Sequence, residues 1–244
     1  MVQKCSSLQK LSVADLLLDS DDVQYICQSS QTLQVLDLED CKFHLHAESF
    51  QDLFTNCAHL TELNICSTYL PDSHIQALVD NLTPKILKVD LGCQRNFKDE
   101  HLTKLVKRCN KITHLDLKYT SITNDSVQSI IKHLKSSLEN LDVTRTNVDF
   151  VTLFQFKTMP LLKTLIFFDD DRMEEDFENL EQQLSHISID EELGHLHIAK
   201  PFKIVTDSYT TDYDWIWEIR AKKQRVFKNV DNKYDDSDDE GCRD

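Results

Sequence analysis

Two histidine pairs are the first candidates for chemistry. His44-Leu45-His46 and His195-Leu196-His197 set imidazoles two residues apart. On a strand that spacing puts both rings on one face, where they could hold a metal. Neither pair has a third ligand at metal spacing, so both are read as ordinary polar positions, and no metal or cofactor is expected. The eight cysteines, at 5, 27, 41, 57, 66, 93, 109 and 242, include no C-x-x-C pair, which argues against zinc knuckles and thioredoxin-type redox sites. The sequence contains no G-x-S-x-G, G-x-G-x-x-G or P-loop. With no catalytic constellation left, the chain is read as a non-catalytic recognition subunit or interaction module. One periodic arrangement remains: Asp37, Asp90, Asp116 and Asp142 each lie between two aliphatic residues.

Those aspartates are held by a repeat. Leu33-x-x-Leu36-x-Leu38-x-x-Cys41 recurs as Leu60-x-x-Leu63-x-Ile65-x-x-Thr68, Ile86-x-x-Val89-x-Leu91-x-x-Gln94, Ile112-x-x-Leu115-x-Leu117-x-x-Thr120 and Leu138-x-x-Leu141-x-Val143-x-x-Thr146. Shorter copies start at Leu8 and Leu162, and a degraded one at Leu184. The seven registered starts are 25, 27, 26, 26, 26 and 24 residues apart. Such a period marks a leucine-rich repeat. Alternating apolar residues turn one strand face inward. A helical stripe follows, as in Ile75, Leu78, Val79, Leu82 or Val127, Ile130, Ile131, Leu134. Helix-start signals precede the stripes at Asp72-Ser73, Asp99-Glu100, Asn124-Asp125-Ser126 and Asp149. One strand and one helix cannot bury their apolar faces alone, but stacked copies can. The expected fold is α/β: a leucine-rich-repeat solenoid, or horseshoe, of seven or eight repeats over 1–189, with a parallel sheet on the concave side. Cys41, Cys57 and Cys109 match the cysteine-containing repeat type and are read as small residues in tight buried corners.

On the concave face, the row between the inward positions reads Ser12, Asp37, Asn64, Asp90, Asp116, Asp142 and Ile166. Adjacent strands lie about 4.8 Å apart, and two carboxylates at that spacing repel by about 1 kcal/mol in a watery setting. Solvated scaffold positions are the main reading, and a ligand contact is the alternative. The next row adds Glu39, Cys66, Gly92, Lys118, Thr144 and Phe168, and the one after it Asp40, Tyr119, Arg145 and Asp169. Candidate protein-contacting residues are therefore Asp90, Asp116, Lys118, Tyr119, Asp142, Thr144 and Arg145.

The formal charge of −15 is unevenly placed. Residues 169–192 carry eleven acids and one base, residues 231–244 seven acids and two bases, and the remainder 24 of each. No basic stripe of the kind a nucleic-acid binder needs is visible, so no nucleic-acid partner is expected. No 18-residue apolar run occurs, and no secretory h-region follows Met1, so neither a membrane span nor export is expected. Unpaired thiols without an export signal point to the cytosol or the nucleus. Residues 231–244 are expected to be disordered, with Ser237, followed by Asp238, Asp239 and Glu240, a phosphorylation site for acidophilic kinases.

Beyond the repeats the order of motifs becomes specific: Met159-Pro160-Leu161-Leu162-Lys163-Thr164-Leu165, then Leu184-Ser185-His186-Ile187-Ser188-Ile189, then Ile198-Ala199-Lys200-Pro201, then Ile216-Trp217-Glu218-Ile219. This order resembles the C-terminal region of F-box/leucine-rich-repeat proteins, the substrate receptors of SCF (Skp–cullin–F-box) ubiquitin ligases. The resemblance implies a protein-binding domain that presents substrates for ubiquitination. It also implies that residues 190–230 form a capping or return tail whose anchors are Pro201, Ile216, Trp217 and Ile219, bordering a site for a protein substrate and a small Cks-type adaptor. Only seven residues precede Leu8, so docking to Skp and cullin is expected only if an F-box is encoded upstream. A stand-alone leucine-rich-repeat scaffold or inhibitor, unconnected to ubiquitination, is the alternative.

Overall fold

Each three-residue strand is too short to be stable alone and is held by its neighbours in the stack. The computed structural model describes residues 8–28, 30–167 and 174–191. The chain divides into two units, 1–196 and 197–244, and every described residue belongs to the first. The main sheet contains β1 (Lys10–Ser12), β3 (Val35–Asp37), β5 (Glu62–Asn64), β6 (Lys88–Asp90), β7 (His114–Asp116), β8 (Asn140–Asp142), β9 (Thr164–Phe167) and β10 (Ser188–Glu191). These eight strands pair in that order and all in parallel. The register runs Leu36↔Leu63↔Val89↔Leu115↔Leu141↔Leu165↔Ile189, so equivalent repeat positions sit side by side. The degraded copy at Leu184 thus contributes an eighth strand.

Helices return the chain from one strand to the next: α1 (Ser20–Gln28), α2 (Ala47–Asn56), α3 (Asp72–Asn81), α4 (Asp99–Arg108), α5 (Asn124–Leu134), α6 (Phe150–Leu153) and α7 (Glu174–Gln183). Their starts follow the sequence signals. Thr123 caps α5 by accepting from the Asp125 N–H, and the Asp149 carboxylate caps α6 by accepting from the Thr152 N–H at 2.7 Å. Asp99 links two repeats. Its carboxylate accepts from the Thr123 N–H and hydroxyl, each at 2.8 Å, and from the Ser126 hydroxyl. Burial pushes the Asp99 pKa up, but these hydrogen bonds outweigh it and hold the group below the usual carboxylate value.

The ten repeat residues Leu36, Leu38, Leu63, Ile65, Val89, Leu91, Leu115, Leu117, Leu141 and Val143 are all buried, in one continuous cluster that runs from Leu18 to Ile187. In five repeats the corner position satisfies a carbonyl at a strand exit. The Cys41 thiol donates to the Val13 carbonyl. The Thr68, Thr120 and Thr146 hydroxyls donate to the carbonyls of Ile65, Leu117 and Val143. Gln94 fills the same corner with its amide, donating to the Ile65 carbonyl at 2.7 Å and accepting from the Leu70 N–H. Cys57 and Cys109 are fully buried, and burial pushes the Cys109 thiol up to about 12, which suits packing rather than reactivity.

Two local details differ from the sequence reading. A second, two-stranded parallel sheet, β2 (Leu17–Asp19) with β4 (Lys42–His44), joins the first two repeats. His44 ends β4, whereas His46 is the residue preceding α2, so the pair does not share one strand face. The turn into the helix begins between them.

Candidate protein-binding surface

The concave carboxylates are not solvated. Asp37, Asn64, Asp90 and Asp142 are buried, with Asp90 4% and Asp142 6% exposed, and Asp116 is half-buried. Each turns back onto its own chain. The Asp37, Asn64, Asp90, Asp116 and Asp142 side chains accept from the backbone N–H of Glu39, Cys66, Gly92, Lys118 and Thr144, two residues on, at 2.8–3.2 Å. The physical cause lies in the strand exit, where the chain turns away and that N–H loses the sheet as a partner. A short side-chain oxygen two residues earlier supplies the bond, as in an Asx turn. The row is thus backbone scaffolding that happens to be acidic.

Burying several carboxylates together has an electrostatic consequence. Burial and the neighbouring Asp116 push Asp90 up to about 8, against the opposing pull of Lys118 and the Gly92 N–H. Burial and Asp116 also push Asp142 up to about 7. Lys118 is the cation that faces them. Its ammonium lies 2.9 Å from Asp116 Oδ2. Burial pulls its pKa down, but Asp116 and Asp90 outweigh that and hold it above the ordinary lysine value. The stem of Lys118 crosses Gly92. A methyl added there would meet Lys118 Cε at 3.0 Å, Cys66 Sγ at 3.0 Å and Asp90 Oδ1 at 3.1 Å. Gly92 therefore gives the lysine room to reach Asp116. Thr144 is buried, and its hydroxyl has no hydrogen-bond partner among the described residues.

Beyond this row the backbone takes an unusual shape. Asp15, Asp40, Ser67, Cys93, Tyr119 and Arg145 have φ of 61°, 57°, 59°, 64°, 55° and 55°. For non-glycine residues this left-handed conformation costs on the order of 1 kcal/mol each. It is held by a ladder between repeats. The N–H groups of Asp15, Asp40, Ser67, Cys93 and Tyr119 donate to the carbonyls of Glu39, Cys66, Gly92, Lys118 and Thr144 at 2.8–3.0 Å. The result is a rim along the strand exits on which Asp40, Tyr119 and Arg145 are exposed. Two residues further on, Tyr69, Arg95 and Asn147 are exposed as well, with Tyr69 65% and Tyr119 45% accessible. The rim changes from acidic at Asp15 and Asp40 to tyrosine and arginine at Tyr69, Arg95, Tyr119 and Arg145. Tyrosine and arginine are the residue types that dominate protein–protein hot spots.

Of the residues singled out from sequence, Tyr119 and Arg145 stand exposed on this rim and Lys118 borders it. Asp90, Asp142 and Thr144, expected on the open face, are buried, and Asp116 is tied to Lys118. Pro201, Ile216, Trp217, Ile219 and Ser237 lie outside the described residues, as do Phe168 and Asp169. Tyr69 and Arg95 were not foreseen, although they lie 26 residues apart and each follows a strand-exit turn by two. That offset was the available signal.

Actin-binding site 2 of leiomodin-1 matches at 16% identity with a TM-score of 0.40, over 74% of this chain and 95% of that one. The chain of the TLR13–ssRNA13 complex matches at 15% identity with a TM-score of 0.46, over 81% of this chain and 35% of that one. The family model described as the SKP2 LRR domain matches residues 1–224. Eight parallel strands in repeat register, cysteine-type corners and this match make the chain a leucine-rich-repeat domain, a protein-interaction module, and it belongs to the SKP2 LRR domain family.

Proposed function

We propose that the chain is the substrate-recognition part of an SCF-type ubiquitin ligase, presenting protein substrates for ubiquitination in the cytoplasm or nucleus. The family match over residues 1–224 is the observation that carries this reading. The tyrosine- and arginine-bearing end of the rim supports it, because those side chains supply large contact area at low entropic cost. In this reading Lys118, Tyr119 and Arg145 border the partner, and Pro201, Ile216, Trp217 and Ile219 are further contact residues. A small Cks-type adaptor is a candidate second partner, and Ser237 a phosphorylation site. Skp and cullin join only where an F-box is encoded upstream of this domain.

The test uses the full chain and a purified Cks protein in titration calorimetry. Tyr119→Ala/Arg145→Ala and Ile216→Ala/Trp217→Ala are compared with the unaltered chain, each checked by circular dichroism. The expected result is about tenfold weaker binding or more for both double variants at unchanged fold, the loss of one or two hot-spot contacts. Affinity unchanged in both variants, or no binding by the unaltered chain, would sink the assignment of this surface.

A further inference from the structure

The convex side carries a charge concentration that the substrate-presenting reading does not use. Lys104, Lys107 and Arg108 on α4, Lys111 in the turn after it, and Lys132 and Lys135 at the end of α5 are all exposed. α4 packs against both α3 and α5, so these bases share one surface although they are scattered along the sequence. Two of them are anchored. Lys104 Nζ donates to Gln76 Oε1 on α3 at 2.8 Å, and Arg108 Nε donates to the Leu82 carbonyl at 2.8 Å. Lys107, Lys111, Lys132 and Lys135 form no ion pair among the described residues. The nearby acids are few. Asp80 lines a shallow depression of ≈ 370 Å³ together with Val79, Lys104, Lys107 and Arg108, and Glu139 is taken by Lys163 at 2.7 Å.

Helix macrodipoles offer a simpler cause, since cations are favoured in a last turn. That account fails on comparison within the molecule. Among α1 to α5, the last turns of α1, α2 and α3 hold no basic residue, yet these helices form in the same stack. Only α4 and α5, which are neighbours, end in Lys107-Arg108 and Lys132-His133. The bases also extend beyond the last turns, to Lys104 and Lys111. In a chain of net charge −15 such clustering is a local reversal of the overall field.

We propose that the C-terminal ends of α4 and α5 form a docking surface for an acidic segment of a partner protein. Helix neighbours lie about 8–10 Å apart, so the bases from the α3–α4 groove to α5 spread over about 20 Å, the reach of some six extended residues. A short acidic peptide matches that footprint. A nucleic acid matches it less well: the acidic remainder of the chain repels a long polyanion, and the exposed aromatics Tyr25, Tyr69 and Tyr119 lie outside the patch.

Fluorescence anisotropy of a fluorescein-labelled decaglutamate peptide with the full chain tests this. Lys104→Glu/Lys107→Glu/Lys132→Glu is expected to weaken binding by about tenfold or more, and raising NaCl from about 50 to 300 mM to weaken it comparably. Lys10→Glu/Lys42→Glu/Lys157→Glu changes net charge equally at exposed sites elsewhere and is expected to stay within about twofold. Tyr119→Ala/Arg145→Ala should bind the peptide normally, which separates this surface from the rim whatever becomes of the rim assignment. If the patch variant loses its circular-dichroism signal, the milder Lys107→Gln/Lys132→Gln takes its place, with about threefold loss expected. Equal weakening by the patch and control triples, unchanged binding in the patch variant, or tighter patch-dependent binding of a 20-nucleotide single-stranded DNA would each overturn the proposal.

Discussion

The concave and convex sides of this solenoid both carry charge that stacking of the repeats gathers, yet they use it in opposite ways. On the concave side, Asp37, Asp90, Asp116 and Asp142 spend their oxygens on backbone N–H groups two residues ahead, and Lys118 faces the last three. On the convex side, Lys107, Lys111, Lys132 and Lys135 are exposed and form no ion pair among the described residues. The difference follows from position within the repeat. A strand exit leaves an N–H without its sheet partner, so any short acceptor there becomes part of the fold. A helix end on the outer surface faces water, and a lysine there is held by little except its own stem. A charge row in a repeat protein therefore has to be weighed by what its atoms bond to before it is read as a binding site.

If that contrast is right, the largest effect belongs to the core beneath both faces. Leu115 is 2% exposed at the centre of β7. Leu115→Ala should cost about 2–5 kcal/mol, from lost transfer energy plus the cavity left behind, as measured by urea unfolding. A cost under about 1 kcal/mol would mean that the strand register is wrong. Next comes Lys118→Ala. It leaves Asp116 unpaired and removes the cation that faces Asp90. Removing one partner of a buried pair costs about 3–5 kcal/mol. The lysine side chain is 22% exposed, and Asp90 can keep a proton, so about 2–3 kcal/mol is expected here. Lost stability that 0.5 M NaCl masks completely would show the pair to be a surface contact instead.

A smaller effect, with a defined sign, comes from Asp90→Asn. The folded pKa of Asp90 is raised to about 8, and an unfolded aspartate titrates at about 3.9. Between those values the folded chain binds more protons than the unfolded one, so this group makes stability fall as pH rises from about 4 to 8. Asparagine keeps the acceptor that the Gly92 N–H needs, as Asn64 already does for Cys66 one repeat earlier. The variant should be more stable than the unaltered chain at pH 8, with the gain vanishing near pH 4. A pH profile parallel to that of the unaltered chain would contradict the burial of this row.

Asp90 also marks the limit of what hydrophobic alternation reveals. The repeat itself was legible, because leucines at 36 and 38 and their equivalents have to alternate to fill a shared core, and no other period accommodates them. The role of the aspartates between them was not. Alternation reports which way a side chain leaves the strand, but not whether it then bends back to its own backbone. The rim was hidden for a related reason. Left-handed φ is signalled by glycine or asparagine, whereas Ser67, Cys93 and Tyr119 are held there by bonds to the next repeat. The convex patch was missed because charge was counted along the chain, where 24 acids and 24 bases cancel outside the acidic stretches. Only stacking at a 26-residue offset brings residues 104–111 beside 132–135.

The smallest effect sharpens the comparison most. Lys107 is exposed, forms no ion pair among the described residues, and lies in the last turn of α4, where its charge gains a few tenths of a kcal/mol from the helix dipole. Lys107→Ala should therefore change unfolding free energy by less than about 0.5 kcal/mol, the range of an ordinary surface substitution. Alanine's higher helix propensity offsets part of the lost dipole term. The contrast with Lys118→Ala is between two lysines in neighbouring repeat elements, one tied to buried carboxylates and one facing water. A loss at Lys107 of about 1.5 kcal/mol or more, measured in the same urea series, would mean that the convex bases are structural too. The charge asymmetry between the two faces would then no longer separate scaffold from contact surface.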